Sequence, residues 1–111
     1  MGILDRRFNK KESKLKRNYE NDDALYQRLQ GQARLYDAPL TDLINVCIRQ
    51  LIETENITLF ERKNCDTSSI HSLLICESNL AGLERLKDRF GVSIYKLVNI
   101  AIKNVLDELE P

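Results

Sequence analysis

Apolar residues recur at helical spacing in the first half of the chain. From Asp22 to Tyr36 they fall at three- and four-residue steps, which predicts an amphipathic helix capped by Asn21, Asp22 or Asp23. Pro39 follows this segment and separates it from the next, because proline disfavours a helical residue before it. A second helix is predicted with a broad apolar face of Leu40, Leu43, Ile44, Cys47, Ile48, Leu51 and Ile52.

The second half shows a similar order of patterns. The segment 71–76 is a short apolar run bounded by polar residues, long enough for one strand. Ser78 or Asn79 can cap a third helix, which Gly91 is suited to end, and Ser93 can cap a fourth. The apolar face of the third helix consists of Leu80, Leu83, Leu86 and Phe90. That of the fourth consists of Ile94, Leu97, Val98, Ala101, Ile102, Val105 and Leu106.

The two halves match when the sequence is shifted by 54 residues. Ten apolar positions then coincide, Asn45 falls on Asn99, and the breaks at 37–39 and 91–93 coincide. This match predicts an internal repeat. It also predicts a strand near 14–20, where Leu15, Arg17 and Tyr19 alternate with Lys14, Lys16 and Asn18.

These patterns predict a mainly α fold with a short β-ribbon. We expect a tandem β-α-α unit, repeated twice, whose strands pair antiparallel in an intramolecular pseudo-dimer, because one unit alone would bury too little surface. The predicted organisation is a flexible basic arm at 1–13, a first unit at 14–55, a linker at 56–69 and a second unit at 70–111.

The charge distribution adds a candidate partner. The formal net charge is zero, but residues 1–17 hold seven basic side chains against two acidic ones. Such asymmetry favours a polyanionic partner, although a solvated tail is the alternative. No apolar run approaches the length of a membrane span, so we expect no membrane association. Three widely spaced cysteines are typical of a reducing cytoplasm rather than of a disulfide framework.

A two-stranded ribbon of this kind fits the major groove of DNA, where strand side chains can reach base edges. Leu15 and Tyr19 are expected to face the core. Arg17 would then also face inward, which is unfavourable for a charge, so a register shifted by one residue stays open. The predicted base contacts are Lys14, Lys16 and Asn18, since lysine suits guanine and asparagine suits adenine.

Phosphate contacts are predicted at the start of the second helix of each unit, where free N–H groups and the helix dipole attract anions. Basic side chains of the arm would extend these contacts along the backbone. The candidates are Arg6, Arg7, Lys10, Lys11, Arg17, Thr41, Ser93 and Tyr95.

The stretch from Ser72 to Ile102, with its Gly91-Val-Ser93 turn, resembles the strand, first helix, turn and second helix of the ribbon-helix-helix (Arc/MetJ/CopG-like) family. With the first half included, the resemblance covers about residues 14–55 and 70–109. It implies dimeric DNA binding by a repressor, an antitoxin, or a plasmid partition or mobilisation protein. A homodimer on DNA is possible.

Two features depart from that family. The second strand has an apolar outward face, either Ser72, Leu74 and Cys76 or His71, Leu73 and Ile75. Pro39 stands where the second half has Ser93, which removes a hydroxyl cap. The second strand would therefore contribute little base contact or be covered by something else, and the DNA site would be asymmetric.

The sequence thus predicts sequence-specific binding of double-stranded DNA through a β-ribbon, as in a transcriptional repressor. The alternatives are a plasmid partition or mobilisation (relaxosome) accessory protein and a helical protein-interaction module without DNA binding. Neither an enzyme, a cofactor nor a metal is expected. The chain has one histidine, and the spacing of His71, Cys65 and Cys76 fits no common zinc pattern.

Overall fold

The computed structural model describes residues 13–59 and 67–110. Residues 1–12 of the predicted arm and 60–66 of the predicted linker lie outside the described residues. The elements are strand β1 (Lys14–Asp22), helices α1 (Asp23–Leu35) and α2 (Leu40–Thr54), strand β2 (Ser68–Cys76), and helices α3 (Glu77–Phe90) and α4 (Ile94–Leu109). All four helices lie where the apolar patterns predict them, and the two strands include the predicted segments 14–20 and 71–76. β2 begins earlier than predicted, at Ser68, so the last residues of the predicted linker belong to this strand.

The two strands form one antiparallel ribbon of nine residue pairs, from Lys14 opposite Cys76 to Asp22 opposite Ser68. Residues that lie directly opposite each other share a face of the ribbon. Leu73 and Ile75 are buried, so their side of the ribbon faces the helices. Their partners Arg17 and Leu15 lie on that inner face as well, so the register shifted by one residue does not form.

Arg17 tolerates its inner position because its side chain stays at the protein surface and does not enter the core. Its side chain is exposed, and its guanidinium donates to the carbonyl of Lys16 at 2.9 Å. The charge therefore stays hydrated, although the backbone directs the side chain to the apolar face. Because the guanidinium is not buried, its inward direction costs little desolvation free energy and does not disfavour this register.

The core is a single cluster shared by all four helices and β2. α2 and α4 pack against each other at its centre, and α4 alone buries eight residues. Fully buried side chains from separate helices meet there, among them Leu29, Ile48, Leu83, Leu97 and Ile102. Neither half of the chain has a separate core, so the described part folds as one unit.

The predicted tandem β-α-α repeat is therefore wrong. The structure has one two-stranded sheet and four helices in one arrangement, and its halves pack differently. A Cβ on Gly82 would lie 2.4 Å from Cδ1 of Ile52, so α3 approaches α2 closely at this glycine. The residue at the equivalent position of the first half, 54 residues earlier, is the much larger Arg28. Asp22 caps α1 through a side-chain oxygen that accepts from the N–H of Leu25, whereas no side-chain bond caps α3.

The helix ends confirm some predicted signals and correct others. Gly91 ends α3 in a left-handed conformation with φ of 68°, as predicted. The third helix is not capped by Ser78 or Asn79, because α3 starts earlier and Cys76 occupies the cap position. Ser93 holds the cap position of α4, but its side chain makes no capping hydrogen bond. No helix in the two described ranges is long and apolar enough to cross a membrane.

Candidate nucleic-acid interface

One face of the ribbon points away from the helices, and we call it the outer ribbon face. Strand alternation and the pairing register place ten residues on this side; Asp22 and Ser68 form its last pair, where Asp22 is buried, and the other eight make up the outer ribbon face. They are Lys14, Lys16, Asn18 and Glu20 on β1, and Ile70, Ser72, Leu74 and Cys76 on β2. Six of these are exposed, and Lys14 and Cys76 are half-buried. All three residues predicted to contact bases lie on this face.

The outer ribbon face is basic at one end and acidic at the other. Lys14 and Lys16 form no ion pair with another residue of 13–59 or 67–110, so both ammonium groups can bind an external acceptor. Glu20 lies toward the opposite end, where its carboxylate accepts a hydrogen bond from the hydroxyl of Ser68. The charge of the face therefore changes sign from one end to the other, and a charged partner bound to it would have a defined direction.

Asn18 is held by a cross-strand hydrogen bond at the centre of the outer ribbon face. The hydroxyl of Ser72, directly opposite, donates to Oδ1 of Asn18 at 2.7 Å. A carbonyl oxygen has two lone pairs and the amide nitrogen has two protons, so Asn18 keeps one acceptor position and its donors. This is the combination that matches N6 and N7 of adenine. Ser72 therefore orients the amide without blocking it.

Two large apolar side chains are exposed on the same face. Ile70 is 73% exposed and Leu74 is 46% exposed. Leu74 lies opposite Lys16, and Ile70 lies opposite Glu20. An apolar group thus accompanies a charged group at each of these two positions.

Asn45 of α2 fixes one end of the ribbon. Its Nδ2 donates to the carbonyl of Leu74 at 3.0 Å and to that of Thr41 at 2.9 Å. Its Oδ1 accepts from the backbone N–H of Cys76 and from Nδ2 of Asn79, each at 2.9 Å. The start of α2 is thereby tied to the end of β2.

Asn99 of α4 makes the corresponding contact at the other end. Its Nδ2 donates to the carbonyls of Glu20 at 3.0 Å and Tyr95 at 2.8 Å, and its Oδ1 accepts from the N–H of Asp22 at 3.0 Å. Asn45 and Asn99 therefore explain why an asparagine recurs at the 54-residue offset. Both are about nine-tenths buried, so they fix the ribbon relative to the two helix starts.

The start of α4 carries the predicted Ser93 and Tyr95 beside the ribbon. Ser93 is half-buried with no capping bond, Tyr95 is 39% exposed, and the first turn contains no acidic residue. The exposed Lys96 adds a positive charge there. Sequence reasoning missed Lys96, although its place in the first turn of the predicted fourth helix, where no acidic residue stands, could have indicated it.

The start of α2 is less suited to an anion. Pro39 occupies its cap position without a side-chain hydrogen bond, Thr41 is half-buried, and the first turn contains Asp42. A carboxylate at this position weakens the attraction of the helix dipole for a second negative charge. The two predicted phosphate positions are therefore unequal, with α4 the more favourable.

The remaining predicted residues do not join the outer ribbon face. Arg17 lies on the inner side of the ribbon, opposite the buried Leu73. Arg6, Arg7, Lys10 and Lys11 lie outside the described residues, as does Cys65. No group of three or more histidine, cysteine or acidic side chains within 13–59 and 67–110 could hold a metal ion.

Aromatic residues lie on the inner side of the ribbon. The rings of His71 and Tyr26 stack with centroids 3.7 Å apart and an interplanar angle of 6°. Burial raises the pKa of the Tyr19 hydroxyl, an effect that the positive charge of Arg17 partly opposes. These rings therefore pack against the helices and do not offer a stacking platform for bases.

No protein-family model matches the chain, and neither a curated protein nor a solved structure is significantly similar to it. The chemistry of the outer ribbon face and of the adjoining helix starts is therefore the basis on which a function can be proposed.

Proposed function

We propose that this chain binds specific sequences of double-stranded DNA by inserting the outer ribbon face into the major groove. The observation that supports this best is the position of Lys14, Lys16 and Asn18 on one ribbon face in a single register, with Lys16 and Asn18 exposed and Lys14 half-buried. The major groove is about 12 Å wide and admits a two-stranded ribbon. Side chains that alternate along both strands can then reach successive base pairs.

The polar groups of the face match different base edges. The ammonium groups of Lys14 and Lys16 suit O6 and N7 of guanine, and the amide of Asn18 suits adenine. Glu20, at the acidic end, can accept from the amino group of cytosine. Because these groups follow one another along β1, the target would be asymmetric, with guanines toward one end.

Phosphate contacts would come from the helix starts that the two asparagines tie to the ribbon. The start of α4 offers free backbone N–H groups, the hydroxyl of Ser93 and the charge of Lys96. An anion at such a position is favoured by the helix dipole and by the positive side chain. The basic residues of 1–12 would contact further phosphates.

We infer a role as a transcriptional repressor, in keeping with the resemblance to the ribbon-helix-helix family. A partition or mobilisation accessory protein would use the same DNA contact. The two roles differ in where the DNA site lies, since a repressor would bind a promoter and a mobilisation protein an origin of transfer.

Selection of bound duplexes from a random pool, followed by salt titration of the best sequence, tests the proposal. We expect enrichment of a short asymmetric site and an affinity that falls steeply with salt. Lys16→Ala should cost about 1–3 kcal/mol and relax the preference at one base pair. Lys96→Ala should weaken binding to all sequences and reduce the salt slope by about one.

Lys87→Ala is the matched control. Lys87 is an exposed lysine in the last turn of α3, outside the outer ribbon face and both helix starts. Its loss should leave the sequence preference unchanged. If no sequence is enriched and duplex DNA shows no salt-dependent binding, DNA is not the partner and a protein-interaction role replaces it.

A further inference from the structure

We propose that Leu74 and Ile70 contact the C5 methyl groups of thymines. In this way β2 would also contribute to sequence recognition, through apolar contacts. The inference rests on the proposed DNA binding and specifies what the second strand contributes to it. Its basis is the exposure of two large apolar side chains on the same face as Lys14, Lys16 and Asn18.

The thymine methyl is the apolar group that base pairs present in the major groove. An exposed leucine or isoleucine on a groove-facing strand gains free energy when it removes that methyl from water. A second copy of this chain is the competing occupant, because a two-fold axis through the face could bring its Glu20 near Lys16. Duplex DNA is favoured by Lys14 and Lys16, which form no ion pair within the described residues, and by the free donors of Asn18 on the same face.

The spacing of the two side chains constrains the site. Ile70 and Leu74 are four residues apart on β2, which is about 13 Å along a strand. At 3.4 Å per base-pair step this corresponds to about four steps. The hydrogen-bonded pair of Asn18 and Ser72 lies between them. We therefore expect two thymines separated by roughly two to four base pairs, with a base pair between them that polar side chains contact.

The backbone at both positions is held in place before DNA binds. Asn45 donates to the carbonyl of Leu74, and Asn99 donates to that of Glu20, the residue opposite Ile70. Side chains on a fixed backbone need little reordering to meet the groove, which favours selectivity for a group as small as a methyl.

Replacement of thymine by uracil in the selected duplex removes the methyl and leaves the hydrogen-bonding edges intact. We expect one uracil opposite Leu74 to weaken binding about fourfold, as for one buried methylene-sized group, and another opposite Ile70 to do the same. Leu74→Ala should weaken binding to the thymine duplex at least as much. On the uracil duplex the same variant should lose clearly less, because the methyl that it contacted is already absent.

Leu35→Ala provides the matched control, since Leu35 is 73% exposed at the end of α1, outside the outer ribbon face. It should respond to uracil as the unaltered chain does. The inference is overturned if no single uracil changes affinity, or if Leu74→Ala loses equally on both duplexes. A change of oligomeric state in Leu74→Ala, measured by sedimentation velocity, would instead assign the face to a second copy. Absence of any DNA binding would overturn the proposed function itself, a result distinct from these.

Discussion

Two buried asparagines near the same end of the ribbon should respond oppositely to the same substitution. Asn21 is fully buried, and neither Oδ1 nor Nδ2 of its side chain has a hydrogen-bond partner among the described residues. Asn99 is 8% exposed and makes three hydrogen bonds. Leucine has the same branched skeleton as asparagine but larger end groups, so Asn21→Leu and Asn99→Leu add the same volume and differ in the hydrogen bonds that they remove.

The hydrogen bonds present at one site and absent at the other determine the expected change in the free energy of unfolding. An unsatisfied buried amide costs about 1–3 kcal/mol, and Asn21→Leu removes that cost while adding buried apolar surface. We expect a stabilisation of about 1–3 kcal/mol after imperfect packing is included. Asn99→Leu leaves the N–H of Asp22 and the carbonyl of Glu20 without their partner. The expected net loss is about 2–4 kcal/mol.

Urea unfolding followed by circular dichroism at 222 nm measures both changes. With a slope of about 1–2 kcal/mol per molar urea, the midpoints should move by roughly 1 M in opposite directions at an unchanged slope. Asn21→Ala is the control for side-chain removal and should gain less than Asn21→Leu. Equal signs for the two leucine variants, or a loss of stability in Asn21→Leu, would refute the reasoning that hydrogen bonding separates the two sites.

Two further predictions concern packing and burial. Gly31→Ala should stabilise the chain by about 0.5–1 kcal/mol, because α1 gains helix propensity and no atom lies within 4 Å of the new Cβ. Gly82→Ala should instead destabilise it by about 1–3 kcal/mol, since the Cβ would lie 2.4 Å from Ile52; equal signs in urea unfolding would contradict this contrast. Burial raises the pKa of Cys47 to about 12, so its thiol stays protonated at neutral pH. In a variant with serine at the other two cysteine positions, Ellman's reagent should therefore react with Cys47 only upon unfolding, and rapid reaction of the folded chain would show that the site opens.

Local patterns were sufficient to predict the four helices and most of β2, whereas β1 was predicted from the 54-residue match together with its alternating residues. The spacing of apolar residues reports which side of an element is buried, and that information is present in each segment by itself. The same reasoning predicted Gly91 at the end of α3, because a left-handed residue is easily accommodated only by glycine. It also predicted that Lys14, Lys16 and Asn18 share one face of β1, since strand alternation is a local property.

Local patterns did not predict which residues from distant parts of the chain contact each other. The 54-residue match suggested a β-α-α unit present twice, but helical periodicity does not report how helices pack, and the chain forms one sheet and one shared core. The close approach of Ile52 to Gly82 likewise depends on how α2 lies against α3. Periodicity gives the apolar side of a helix but neither its neighbour nor its distance.

Only the tertiary structure decided the composition of the outer ribbon face. Pairing of β1 with β2 places Leu74 beside Lys16 and Ser72 beside Asn18, pairs whose members are far apart in the chain. Asn45 and Asn99 lie on predicted helices, and their burial against the ribbon ends follows from the packing of α2 against β2 and of α4 against β1. The sequence by itself determined the elements and the polarity of each face. The tertiary structure determined which groups meet, because hydrogen bonds and side-chain contacts form only where packing brings their atoms within a few ångströms.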